Sequence, residues 1–265
     1  MFAAMPVHTI LCIIWGSVGL AIFPLLFFVG APYGKLYRSG WGPRVPGRIG
    51  WLVQELPSPI VLVLAFFYAD RADWIRAHPR FNPEGAPATA YLCVGIWCVH
   101  YLHRAVVYPL TRHLSPTTLP VVSSAIAFNV VNASLCGSEL GFLASHLHDA
   151  SWPATALGLV VLLVGAAINL HSDHVLRSLR QDIKDTAHYV PHGGLFDFVT
   201  CPHYFGEWME WVGFCMLART ISSAVFAWWT LANLLPRARA YQSWYRSKFK
   251  EEFPPGQKAM LPFLW

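Results

Sequence analysis

Apolar side chains run along this chain in long blocks, parted by short stretches rich in Arg, Lys, Pro and Gly. A helix that crosses a bilayer needs about 20 mainly apolar residues. Seven stretches qualify, at roughly 7–30, 50–69, 88–111, 120–145, 152–171, 203–218 and 220–236. The last two are short and parted only by Arg219 and its neighbours, which predicts a tight membrane hairpin. No internal repeat and no low-complexity linker divides the sequence, so residues 1–265 are expected to form one domain. The expected fold class is an all-α integral membrane protein with seven transmembrane helices.

Composition agrees with the pattern. Charged residues are 12% and apolar residues 55% of 265, against about 25% charged in an ordinary soluble domain. That scarcity excludes a disordered chain and argues against a soluble enzyme, while the apolar blocks argue against a small disulfide-stapled domain. The net charge of +5 is modest and its basic residues are scattered. It therefore points to membrane orientation rather than nucleic acid. With seven spans, fourteen Lys and Arg fall in loops and tail on one side, and four (Arg71, Arg76, Arg80, Arg219) on the other. Such an excess marks the cytosolic side, which puts the N-terminus outside and the C-terminus in the cytosol. An even number of spans would spoil the asymmetry. The membrane would be the inner membrane in a bacterium or the endoplasmic reticulum in a eukaryote. The first apolar run has no basic flank or small-residue cleavage pattern and reads as a retained span. The six cysteines form no C-x-x-C pair and read as packing residues.

Ionisable groups at bilayer depth are costly, so each is a functional candidate. Glu55, Glu139, Glu207, Glu210 and Arg104 are such groups. In C98-V-H-Y-L-H-R-A-V-V-Y108, helical spacing puts Tyr101, Arg104 and Tyr108 on one face. Interhelical hydrogen bonding is one reading of this set and a binding site is the other. Asn169, Asp173, Arg177 and Arg180 form a second stripe, at i, i+4, i+8 and i+11. It reads either as a solvated face with an Asp–Arg pair or as a surface for a cofactor bearing phosphate and ribose, since guanidinium groups match phosphate oxygens. The loop H188-Y-V-P-H-G-G-L-F-D-F198 carries a turn at Pro191–Gly194. Neither G-x-G-x-x-G nor G-x-x-x-x-G-K-[ST] occurs, so a nucleotide would bind among helices and their loops. The pairs His100/His103 and His171/His174 lack the larger histidine boxes of membrane di-iron oxygenases, and no metal site is expected.

At these residues the sequence resembles the steroid 5α-reductase family, the membrane 3-oxo-5α-steroid 4-dehydrogenases. The shared blocks are A31-P-Y-G-K35, W51-L-V-Q-E-L-P-S58, V99-H-Y-L-H-R104, N169-L-H-S-D173 with R177-x-x-R180, P191-H-G-G-L-F196, Y204-F-G-E-W-M-E-W211 and K258-A-M-L-P-F263. Each is weak alone; together they keep the family's order and approximate spacing. The C-terminal half is also similar to sterol reductases and isoprenylcysteine methyltransferases, and the Q-E-L-P-S and H-Y-x-H-R blocks select the steroid branch. Reductases of polyprenols or enoyl thioesters are the other alternative.

The resemblance implies reduction of the carbon 4–5 double bond of a 3-oxo-Δ4 steroid by NADPH entering from the cytosolic side. It implies a steroid-binding half, 1–145, and an NADPH-binding half, 146–265. Glu55 and Tyr101 would hold the 3-keto oxygen, and Trp51, Gln54 and Arg104 would line the substrate site. Cofactor contacts would fall on Asn169, Asp173, Arg177, Arg180, Glu207, Arg237 and Tyr245. Tyr189, His203 and Tyr241 belong to the same set but replace the family's usual basic residue, Asn and His. The expected partners are a lipid-soluble 3-keto substrate and membrane lipid, with no nucleic acid, and the expected state is a monomer.

Overall fold

The structure is a computed structural model that describes residues 7–30, 32–38, 40–68, 88–112, 114–142, 152–179 and 187–265. The chain is mostly helical. In chain order the helices are α1 (Val7–Leu26), α2 (Gly47–Glu55), α3 (Pro57–Tyr68), α4 (Ala88–Leu102), α5 (Tyr108–Leu110), α6 (Leu119–Phe142), α7 (Trp152–Ser178), α8 (Pro202–Ala218) and α9 (Ile221–Phe249). Helices α2 and α3 follow each other as one rod. Pro57 lacks an N–H for the carbonyl four residues before it, so the hydrogen-bond ladder is interrupted while Leu56 stays helical.

Five helical segments are long and apolar enough to cross a membrane: Val7–Leu26, Gly47–Tyr68, Ala88–Leu110, Leu119–Phe142 and Trp152–Ser178. Helices α8 and α9 occupy the expected hairpin. They turn at Arg219, whose φ of 53° is left-handed, and Thr220 then opens α9 with a capping box to Ser223. Two helices outrun their apolar blocks. The α7 helix continues past residue 171 to Ser178, and α9 past 236 to Phe249.

Between α4 and α5 the chain makes a π-helical turn over His103–Val107. Pro109 cannot donate to Ala105 four residues earlier, and a wider turn accommodates the missing bond. The turn falls on the H-Y-x-H-R block and aims Arg104.

Helices α7 and α8 pack backbone to backbone. A Cβ added to Gly165 would lie 2.4 Å from the Glu210 nitrogen, and one added to Gly206 would lie 2.6 Å from the Asn169 nitrogen. Only glycine permits this approach. It lets Asn169 donate to the His203 carbonyl at 2.9 Å and fixes the rotation of α8, hence the direction of Glu207 and Glu210. The aromatic core lies beside them: Trp97 packs on Trp211 at 5.0 Å and on Phe226 at 4.7 Å between ring centroids.

Two small clasps close the end of the bundle that carries the site. Strand β1 (Arg44–Val45) pairs antiparallel with β2 (Thr117–Thr118), which ties the α1–α2 loop to the start of α6. At the other side Val199 bridges Lys258, and Cys201 N–H donates to the Ala259 carbonyl at 3.0 Å. The predicted turn is present, with Gly193 and Gly194 at φ of 90° and 57°.

Candidate active site

A cavity of about 650 Å³ lies between the two clasps. One wall comes from α2 and the π-turn region, through Trp51, Gln54, Arg104 and Tyr108. The opposite wall comes from α7, α8 and α9, through Asp173, Arg177, His203, Arg237, Tyr241 and Tyr245, with Tyr189 from the loop before α8. Ten of the residues expected from the sequence therefore share one cavity. Its volume is that of a site for a drug-sized ligand or cofactor.

Arg237 is the hub of the α9 wall. Pro236 precedes it and removes one hydrogen bond from the helix. The buried guanidinium donates to the Tyr204 hydroxyl at 2.9 Å, the Tyr241 hydroxyl at 3.0 Å and the Tyr33 carbonyl at 3.1 Å. It also stacks 3.4 Å above the centroid of the Tyr33 ring. Burial pushes the Tyr33 phenol up, against the pull of Arg237, so it stays neutral near neutral pH. Nearby, Lys35 hydrogen-bonds Tyr245. Burial pushes the Cys201 thiol up to about 12, with Lys35 and Arg237 opposing, so the thiol keeps its proton.

On the α7 wall, Asp173 is paired with Arg112 at 2.9 Å, and the same guanidinium donates to the Asp173 carbonyl at 2.7 Å. Arg177 is exposed at the rim. Tyr33, Lys35, Arg112 and Tyr204 line the cavity without having been assigned to it from sequence.

Glu55, Tyr101, Asn169 and Glu207 are buried behind the wall rather than on it. Gln54 donates to Glu55 at 3.1 Å. Tyr101 hydrogen-bonds Ser58 and interacts electrostatically with Glu55. Arg104 and Glu207 form an ion pair at 3.4 Å, and Trp51 donates to the Arg104 carbonyl at 3.0 Å. Arg104 also stands 5.3 Å over the Trp51 ring. The structure thus joins the two blocks that were separate in sequence. Among the described residues, the second carboxylate oxygen of Glu207 and Nδ1 of His203 are buried without a hydrogen-bond partner. His203 lines the cavity, so its orphaned Nδ1 is an atom that a polar ligand could satisfy.

Two expected features stand apart. Arg180 lies outside the described residues. Glu139, a candidate by its depth, caps α9 by accepting from the Ile221 and Ser222 amides at 3.2 and 2.8 Å. Its carboxylate also lies within 4.8 Å of His8 and Cys12 ligand-type atoms. His8 there donates to the Leu135 carbonyl at 3.0 Å.

Helices, buried carboxylates and a basic, aromatic cavity define the class: a helical protein with membrane-length segments and a polar site between them. The model of the family described as 3-oxo-5-alpha-steroid 4-dehydrogenase matches residues 115–265. Steroid 5-alpha-reductase DET2 of Arabidopsis thaliana is 34% identical over 250 residues, covering 91% of this chain and 90% of the relative. The 3-oxo-5-alpha-steroid 4-dehydrogenase 1 of Homo sapiens is 36% identical over 253 residues, covering 94% and 92%, and that of Bos taurus is 35% identical over 256 residues, covering 94% and 93%. The chain belongs to the steroid 5α-reductase family and is an oxidoreductase of that family.

Proposed function

We propose that this protein reduces the carbon 4–5 double bond of 3-oxo-Δ4 steroids to the 5α products, with NADPH as the reductant. When bound, NADPH supplies the hydride that goes to carbon 5. The observation that carries the reading is the continuous arrangement from Glu55 and Tyr101, through Arg104 and Glu207, to the basic cavity around Arg237. Family membership supports the same chemistry.

Negative charge develops on the 3-keto oxygen as hydride arrives. Donors fixed in a dry site stabilise such charge without reorganisation. The Tyr101 hydroxyl would donate to that oxygen, with Glu55 beside it. Gln54 and Ser58 orient the pair. Arg237, Arg177, Arg180 and Arg112 would neutralise the cofactor's phosphates. Asn169, Asp173, Tyr189, His203, Tyr241 and Tyr245 would shape the rest of the cofactor site, with the free oxygen of Glu207 and Nδ1 of His203 as unspent hydrogen-bonding atoms. In this reading residues 1–145 bind steroid and 146–265 bind NADPH. All seven passes cross the membrane with the cavity on the cytosolic side, and the chain works as a monomer.

The test is Glu55→Gln and Tyr101→Phe. Tyr101→Phe should lower kcat by about 10²–10³, the loss of one oxyanion donor at about 2.7–4 kcal/mol, and Glu55→Gln should lower it as well, while NADPH still binds. Near-native turnover by both variants would remove the pair from the reaction.

A further inference from the structure

His100 and Glu210 form a buried pair that the reaction as described does not use. His100 Nδ1 lies 2.8 Å from Glu210 Oε1, and both side chains are about nine-tenths buried, at 10% and 9% exposure. The His100 ring sits 5.2 Å from the Tyr101 ring and 4.6 Å from that of Trp211. A histidine is the side chain that gains and loses a proton near neutral pH. Here it stands on α4 beside the proposed donor Tyr101, and its partner Glu210 lies on α8, which also carries Glu207.

One helical step on, at i+3, His103 begins the π-turn. It is half-buried and lines a niche of about 130 Å³ together with Tyr108, Arg112, Asp173, His174 and Arg177. His174 and Arg177 are exposed, so the niche reaches the surface. It adjoins the large cavity, since Tyr108, Thr111, Arg112, Asp173 and Arg177 line both, while His103 and His174 line the niche and not the cavity. The charged and titratable groups facing the path are Glu207 and Glu210 from α8, Arg104 from the π-turn, Asp173 from α7 and Glu55 from α2, beyond Tyr101.

Reduction of the double bond consumes one hydride and one proton. The hydride forms the bond at carbon 5 and the proton forms the bond at carbon 4, while the nicotinamide is oxidised. A cofactor held in the large cavity would displace water there, whereas the niche reaches the surface at His174 and Arg177. We propose that His103 and the His100–Glu210 pair form a proton path from the niche to the buried site. The pair gives up a proton toward Tyr101 and the substrate at each turnover and regains it from water in the niche through His103. His100 and His103 act through Tyr101 and are positioning residues, not groups that touch the substrate. The inference rests on the proposed reductase activity.

The experiment compares the full-length protein with His103→Gln, His100→Gln and Glu210→Gln in lipid nanodiscs. It follows NADPH consumption with a 3-oxo-Δ4 steroid from pH 5.5 to 8.5 in H₂O and D₂O. The path predicts that kcat of His103→Gln falls about tenfold at pH 8. Its solvent isotope effect should rise, its KM for NADPH should stay within about twofold, and added imidazole should restore part of the rate. His100→Gln and Glu210→Gln should show the larger losses, also with a raised solvent isotope effect. If His100→Gln does not fold, the half-buried His103→Gln carries the test. Parental pH profiles and isotope effects in folded variants overturn the path alone. Absence of turnover in the parent overturns the reductase reading, and the path with it.

Discussion

Arg237 gathers residues that the sequence holds far apart. Tyr33 is 204 positions away and Tyr204 is 33, yet all meet one guanidinium. Its planar fork serves several acceptors and a ring face at once, which an ammonium cannot reproduce. Arg237→Ala is expected to raise KM for NADPH roughly ten- to a hundredfold, from the loss of charge-assisted hydrogen bonds worth about 1.5–3 kcal/mol. KM for steroid should change far less, and Arg237→Lys should recover little. Steady-state kinetics with each substrate varied in turn would check this; an unchanged KM for NADPH would take Arg237 out of the cofactor site. The same geometry shows why some site residues were legible and others were not. Asp173 and Arg177 followed from helical spacing, Trp51 from a shared block, and Arg237 and Tyr245 from the cofactor contacts that the family resemblance implies. Tyr33 and Lys35 lie inside the A-P-Y-G-K block, where the sequence shows no role for them because their partners lie on α9. Arg112 counted only as an orienting charge, since its pairing with Asp173 bridges 61 positions.

At the scale of elements, the close approach of α7 and α8 sets the direction of every polar group on α8. A methyl at Gly165 would meet backbone at 2.4 Å, which a flexible side chain could avoid but a helix cannot. Gly165→Ala should therefore destabilise the protein by about 1–3 kcal/mol, the usual range for overpacking. It should also lower kcat by displacing Glu207. Gly95, on the exposed face of α4, has nothing within 4 Å of an added Cβ. Gly95→Ala should be neutral or stabilising by up to about 1 kcal/mol, from helix propensity alone. Thermal unfolding in one detergent would compare the two, and equal effects would contradict the packing account. Apolar blocks located the helices well because burial in lipid demands length and apolarity. The helix ends were legible to different degrees: the spacing of Asn169, Asp173 and Arg177 already carries α7 past its apolar block, whereas α9 runs on to Phe249 without such a signal and there carries Arg237 and Tyr245. The π-turn had a signal in Pro109, but the spacing rule for Tyr101, Arg104 and Tyr108 assumes a regular helix. Arg104 and Tyr108 do share a cavity wall, while Tyr101 lies behind it.

For the whole molecule, the scarcity of charge explains both the membrane character and the site. Five segments have the length and apolarity to cross a bilayer, and the remaining two helices, α8 and α9, trade apolarity for the groups that build the cavity. That trade is why composition alone set α8 and α9 at the short end of the seven stretches. Among the described residues, buried and half-buried charges outside helix capping include Glu55, Arg104, Glu207 and the His100–Glu210 pair, with Arg237 on the opposite wall of the cavity. The most direct measurement is turnover of purified protein in lipid with a panel of 3-oxo-Δ4 steroids and NADPH, read as loss of absorbance at about 340 nm with the configuration at carbon 5 determined in the product. The account predicts stoichiometric NADPH oxidation and a 5α product. A 5β product, no steroid product, or activity confined to polyprenols, enoyl thioesters or methyl transfer would contradict it.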